Sequence, residues 1–114
     1  MLKLGYKVVM VYNEKFFSMN DRRVEYPQNA WAVPLLGDGP LTVLNNRKAA
    51  RHMAKYLSKL ETRRFRVFRC LYEEAPGECV WQLYSIVRVK DLEANNVRSL
   101  QAGATKLAKK VLIF

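Results

Sequence analysis

An apolar run rich in valine and aromatic side chains, broken by Lys3 and Lys7, opens the chain between Met1 and Tyr12. Such residues fit a pleated, half-buried surface, so Lys3 to Tyr12 is predicted to be a strand. Asn13-Glu14 then makes a tight turn and Lys15 to Met19 a short returning strand. Asn20 to Asn29 is polar and contains Pro27, which marks a loop. Trp31 to Val33 and Leu41 to Leu44 are short strands on either side of Pro34 to Pro40. In that loop Gly37-Asp38-Gly39 is free to take left-handed angles.

The periodicity changes after Leu44. Ala50, Met53, Leu57 and Leu60 recur at three- and four-residue steps, with Ala49 and Ala54 beside them. That spacing predicts a helix over Arg47 to Leu60 with one apolar stripe, capped by Asn45 or Asn46. Its other side carries Arg47, Lys48, Arg51, Lys55 and Lys59. Arg64 to Tyr72 and Val80 to Lys90 are the longest strand candidates after it. The Glu-Glu-Ala-Pro-Gly-Glu stretch between them predicts a hairpin. Asp91 to Gln101 is polar and irregular. From Ala104 to Phe114 a helix face and a strand both fit the pattern, and the last five residues read as a strand.

Strands that follow one another without crossover helices argue for antiparallel pairing. The predicted fold is therefore α+β: a mostly antiparallel sheet of five to six strands with one amphipathic helix packed on a face, in a single domain over residues 1–114. Half of the 114 residues are hydrophobic. A chain of this length buries roughly two-thirds of its unfolded surface, enough for one core. No apolar run reaches the length of a membrane span, and the first residues lack the order of a signal peptide. An intracellular location is expected.

Cys70 and Cys79 flank the predicted hairpin turn. A bridge across it and two reduced core thiols both fit; their low number favours free thiols. His52 is the only other soft ligand, so zinc-site spacing is lacking. A thiol–imidazole site from Cys70 and His52 would need the fold to bring them together. Glu73, Glu74 and Glu78 crowd the predicted turn and read as a solvated acidic cluster. Gly37-Asp38-Gly39 lacks the Lys-Ser or Lys-Thr of a phosphate loop. No motif calls for a cofactor, and catalysis is not expected.

The net charge is +10, which points to a polyanionic partner: nucleic acid, an anionic membrane surface or an acidic protein, of which nucleic acid or an acidic protein is expected. From Arg47 to Arg69 there are nine Lys and Arg and one acid, Glu61. Arg51, Lys55 and Lys59 are four residues apart and stack along one ridge, which Arg63, Arg64 and Arg66 can extend onto the sheet. The candidate nucleic-acid contacts are thus Arg47, Lys48, Arg51, Lys55, Lys59, Arg63, Arg64 and Arg66. Tyr12, Phe16, Phe17, Tyr26, Trp31, Tyr56, Tyr72, Trp81 and Tyr84 supply either core filling or surfaces for stacking bases.

One pattern has a likeness elsewhere. It runs through Val8 to Tyr12, Ser18-Met19, Tyr26, Trp31-Ala32-Val33-Pro34 and Gly39-Pro40-Leu41-Thr42-Val43-Leu44 to the helix opening at Asn46, with Ala50 inside. It resembles small uncharacterised accessory proteins of phages and other viruses. The resemblance implies a viral accessory or virion protein acting in the host cytoplasm, whose basic charge would meet an acidic host or viral protein surface. Some versions are similar to the front half of ADP-ribosyltransferase-like folds. The arginine after the first strand and the paired glutamates of that chemistry are missing here.

Overall fold

The first strand finds partners along its whole length. The computed structural model describes residues 1–19, 23–35, 40–76, 79–82, 85–88 and 104–114. Strand β1 (Leu2–Tyr12) turns at Asn13-Glu14, where both residues take positive φ angles of 49° and 61°, and returns as β2 (Lys15–Ser18) with Tyr12 opposite Lys15. Left-handed angles at both central residues suit the twist of a two-residue hairpin. Short strands β3 (Trp31–Ala32) and β4 (Leu41–Leu44) follow, then helix α1 (Arg47–Glu61), β5 (Arg64–Glu74), β6 (Cys79–Gln82), β7 (Ser85–Arg88) and β8 (Thr105–Ile113).

All pairings among the described residues are antiparallel. One edge of β1 runs against β5 over ten residues, from Leu2↔Glu73 to Val11↔Arg64. Its other edge is shared between β2 and β4, the latter meeting it at Tyr6↔Leu44. Strand β8 pairs with both β4 and β5, so β1, β4, β8 and β5 close into a barrel, with β2 and β3 as extensions. The α+β class and the antiparallel sheet agree with the sequence reading; the closure was not foreseen.

Two expectations change. The long hairpin between Arg64–Tyr72 and Val80–Lys90 does not form, because β5 spends both edges on β1 and β8. The second segment is instead broken into β6 and β7, which pair with each other as a separate two-stranded sheet. Leu60 is not in the buried stripe: it is 63% exposed, whereas Ala50, Met53, Ala54 and Leu57 are buried. At about 100° per residue Leu60 sits roughly 60° round from Leu57, on the stripe's margin. The terminal strand is longer than read, nine residues rather than five.

The helix is capped by Asn46, whose side chain accepts a hydrogen bond from Ala49 N at 3.2 Å. It ends at Thr62, in the left-handed region. Among the described residues two clusters form the core. Val8, Met10, Leu44 and Phe65 receive the helix's Ala50, Met53, Ala54 and Leu57. Val9, Val43, Phe68, Cys70, Tyr72, Ala108, Val111 and Ile113 fill the barrel, joined by Tyr26. Period-2 alternation on β5 divides the two: Phe65 faces the helix, while Phe68, Cys70 and Tyr72 face inward. Gly5 lies where β1 crosses β4. A Cβ there would come within 3.0 Å of the Tyr72 ring and 3.1 Å of the Leu44 carbonyl oxygen.

Cys70 is a free, buried thiol in the barrel, where burial pushes its pKa up to about 11. The Gly37-Asp38-Gly39 loop, Asp91 to Gln101, Glu78, Tyr84 and the side chains of Cys79 and Trp81 lie outside the described residues. No helix among the described residues is long and apolar enough to cross a membrane.

Candidate nucleic-acid interface

The basic side of α1 follows from its buried stripe. With Ala50, Met53, Ala54 and Leu57 turned to the sheet, Arg47, Lys48, Arg51, Lys55 and Lys59 are left exposed. No acidic residue occupies the first turn. Arg51, Lys55 and Lys59 form the ridge expected from their spacing. At its end, Arg63 leans over the helix side of the sheet, with Nη1 3.8 Å from the Met10 sulfur.

Arg64 and Arg66 take a different direction. They share the inward-facing line of β5 with Phe68, Cys70 and Tyr72, but stand beyond the packed interior and are exposed. The structure therefore divides the eight candidate cations between two surfaces. One is the helix ridge with Arg63; the other is a groove on the opposite side of β5. Consecutive residues, Arg63 and Arg64, join the two at one end of the barrel.

The groove has a volume of about 450 Å³ and is lined by Val11, Tyr12, Asn13, Glu14, Phe16, Arg64 and Arg66. Phe16 and Phe68 meet edge to face, with centroids 4.9 Å apart. The Arg66 guanidinium lies 4.7 Å from the Phe68 centroid and 5.6 Å from that of Phe16. A cation stacked on rings keeps its charge while its conformational freedom falls. Tyr12, at 54% exposure, presents an open ring beside it.

Other sequence candidates fall elsewhere. Tyr26 and Tyr72 are buried, and Phe17 and Tyr56 are half-buried against the helix-side core. His52 is exposed on the helix while Cys70 lies inside the barrel, so the two do not form a site. Glu74 is held in an ion pair by Lys3, whose ammonium keeps its carboxyl below the ordinary range. Among the described residues no group of three His, Cys, Asp or Glu could hold a metal ion.

Arg66 is among the cations read from the sequence, but its stack on Phe16 and Phe68 was not foreseen. Its signal was the alternation Arg64, Arg66, Phe68, which puts two arginines in line with the barrel's inner face. Compared with known protein families, with characterised proteins and with solved structures, the chain matches none.

Proposed function

We propose that this protein binds nucleic acid without catalysing a reaction, using α1 and the strand that follows it. The observation that carries the reading is the exposure of all eight cations, Arg47, Lys48, Arg51, Lys55, Lys59, Arg63, Arg64 and Arg66. The ion pairs Lys3–Glu74 and Lys15–Glu25 use none of them. A surface of this kind gains affinity by displacing counterions from phosphates, largely without regard to sequence. Tyr12 and the Arg66 stack add flat faces on which unpaired bases can lie. That favours a single strand, its phosphates following the cations at the helix end and its bases entering the groove.

The test is fluorescence anisotropy with a labelled single-stranded oligonucleotide over a range of salt concentrations. Arg51→Glu with Lys55→Glu should weaken binding and flatten the salt dependence with little change in melting temperature. Lys106→Glu with Lys109→Glu makes the same charge change on β8, outside both the ridge and the groove. Equal weakening by both pairs would reduce the effect to net charge, and absence of binding at low salt would overturn the reading.

A further inference from the structure

A carboxylate stands in the groove, where phosphate binding alone has no use for one. Tyr12, Asn13, Glu14, Phe16, Arg64 and Arg66 line the groove, and Glu14 is exposed. Among the described residues Glu14 is in no ion pair, unlike Glu74 and Glu25, which are held by Lys3 and Lys15. The Arg66 guanidinium is taken up by the Phe68 and Phe16 rings instead. The acid thus keeps its acceptors open beside two cations.

Glu14 also occupies a backbone position that suits another residue. It is the second central residue of the β1–β2 turn, with φ of 61°. Two-residue turns with left-handed angles at both positions favour asparagine followed by glycine; Asn13 fits that pattern and Glu14 does not. Glycine would relieve the backbone and would take a negative charge off a cationic surface. The glutamate therefore costs both fold stability and attraction for phosphate. Strain of this kind gathers at ligand sites.

We propose that Glu14 reads guanine in an unpaired stretch of nucleic acid. The inference rests on the proposed nucleic-acid binding at the groove and adds a base preference to it. With a base laid on the exposed Tyr12 ring, the groove offers the base edge a carboxylate and the phosphates Arg64. A carboxylate only accepts hydrogen bonds. Guanine alone among the common bases presents adjacent N–H donors on its Watson–Crick edge, N1–H and the 2-amino group, and the carboxylate oxygens accept both. Adenine and cytosine set their amino group beside an acceptor nitrogen. Uracil and thymine flank N3–H with carbonyl oxygens. Each of these turns a lone pair toward the carboxylate and is disfavoured by repulsion. The edge is open only where the base is unpaired. At about 450 Å³ the groove is within the size range of small-ligand pockets.

The experiment titrates the full chain, by anisotropy, with labelled oligothymidylates of about ten nucleotides. Each carries one central guanine, inosine or adenine. Inosine keeps N1–H and lacks the 2-amino group. The parent should bind the guanine probe about tenfold more tightly than the other two, as a bidentate base contact gives. Glu14→Gln and Glu14→Gly should bring the probes within about twofold of one another. Both variants lose a negative charge and should bind every probe more tightly at low salt, so the ratio between probes is the readout. Glu14→Gly should also melt at a higher temperature than the parent, because glycine suits the left-handed angle. Equal affinity of the parent for the probes overturns the guanine preference and leaves nucleic-acid binding standing, and so does a variant that keeps the parent's ratio. A Glu14→Gly protein that melts lower and keeps the ratio gives the glutamate to the turn and overturns it too. A parent that binds no probe at low salt overturns both readings.

Discussion

Inside the barrel the Lys7 ammonium donates a hydrogen bond of 2.6 Å to the main-chain oxygen of Thr42. The contact lies beside Tyr6↔Leu44, where β1 and β4 pair. Lys7 thus supplies a donor from a side chain at a sparse part of the barrel wall. Its Nζ also lies 5.0 Å from the centroid of Tyr26. The side chain is 1% exposed, and burial lowers its pKa to about 8. A charge so enclosed is costly unless its partners replace water.

Stability should rise between pH 8 and pH 9. Below pH 8 Lys7 is protonated whether folded or unfolded, so it adds no slope. Above that the folded protein releases the proton while the unfolded chain keeps it up to the ordinary value of 10.5. The unfolded state then binds more protons and stability climbs, by about 1 kcal/mol from pH 7.5 to pH 9. Cys70 acts in the opposite sense from about pH 9 to 11, because its thiol holds its proton longer when folded. Urea melts at pH 7.5, 8.25 and 9 measure the rise, and Lys7→Met should flatten it. A Lys7→Met protein with the parent's slope would place its origin elsewhere.

Leu57→Ala should cost about 2–5 kcal/mol, as a buried large-to-small change between helix and sheet. Leu60→Ser should change stability by less than about 0.5 kcal/mol, since the side chain is exposed. Thermal melts of the two variants against the parent check both. Similar losses from both would mean that the stripe includes Leu60 after all.

Local pattern carried much of this fold and stopped at long-range pairing. The helix was legible because Ala50, Met53 and Leu57 recur with its period, and the Asn13-Glu14 turn because it separates two apolar runs. The barrel was not, because nothing local says that β5 will use both its edges, on β1 and β8, when the Pro-Gly stretch after it suggests a hairpin. The cations of the candidate site could be counted from the sequence. Their division into ridge and groove needed the strand's parity, and the groove itself needed Phe16 brought from β2 to Phe68 on β5. Lys3 and Lys7 interrupt the first apolar run alike; only barrel closure puts Lys7 inside.

Gly5→Ala should destabilise the protein by about 1–3 kcal/mol, although alanine suits a strand better than glycine does. The added methyl group meets the Tyr72 ring and the Leu44 carbonyl at 3.0 and 3.1 Å, and neither can retreat without moving the barrel wall. A double variant with Tyr72→Leu should recover part of the loss, because the ring is one of the two obstacles. Denaturant melts of the single and double variants check this; an unchanged or raised midpoint for Gly5→Ala would show that the strands yield.

Stacking and charge at the groove can be separated by salt. Tyr12→Ala removes an exposed ring and no charge. If bases lie on that ring, affinity for a single strand should fall by about 1–3 kcal/mol at every salt concentration. The slope of log affinity against log salt should stay as it was. Arg64→Gln with Arg66→Gln removes two charges and should reduce the slope by up to about 1.4, at about 0.7 for each phosphate that is no longer neutralised. Duplex DNA keeps its bases stacked on one another, so Tyr12→Ala should leave duplex affinity nearly unchanged. Anisotropy titrations of both variants with single- and double-stranded probes at several salt concentrations give all of these quantities. A Tyr12→Ala protein that binds the single strand as the parent does would leave the groove without a base and confine binding to the helix ridge.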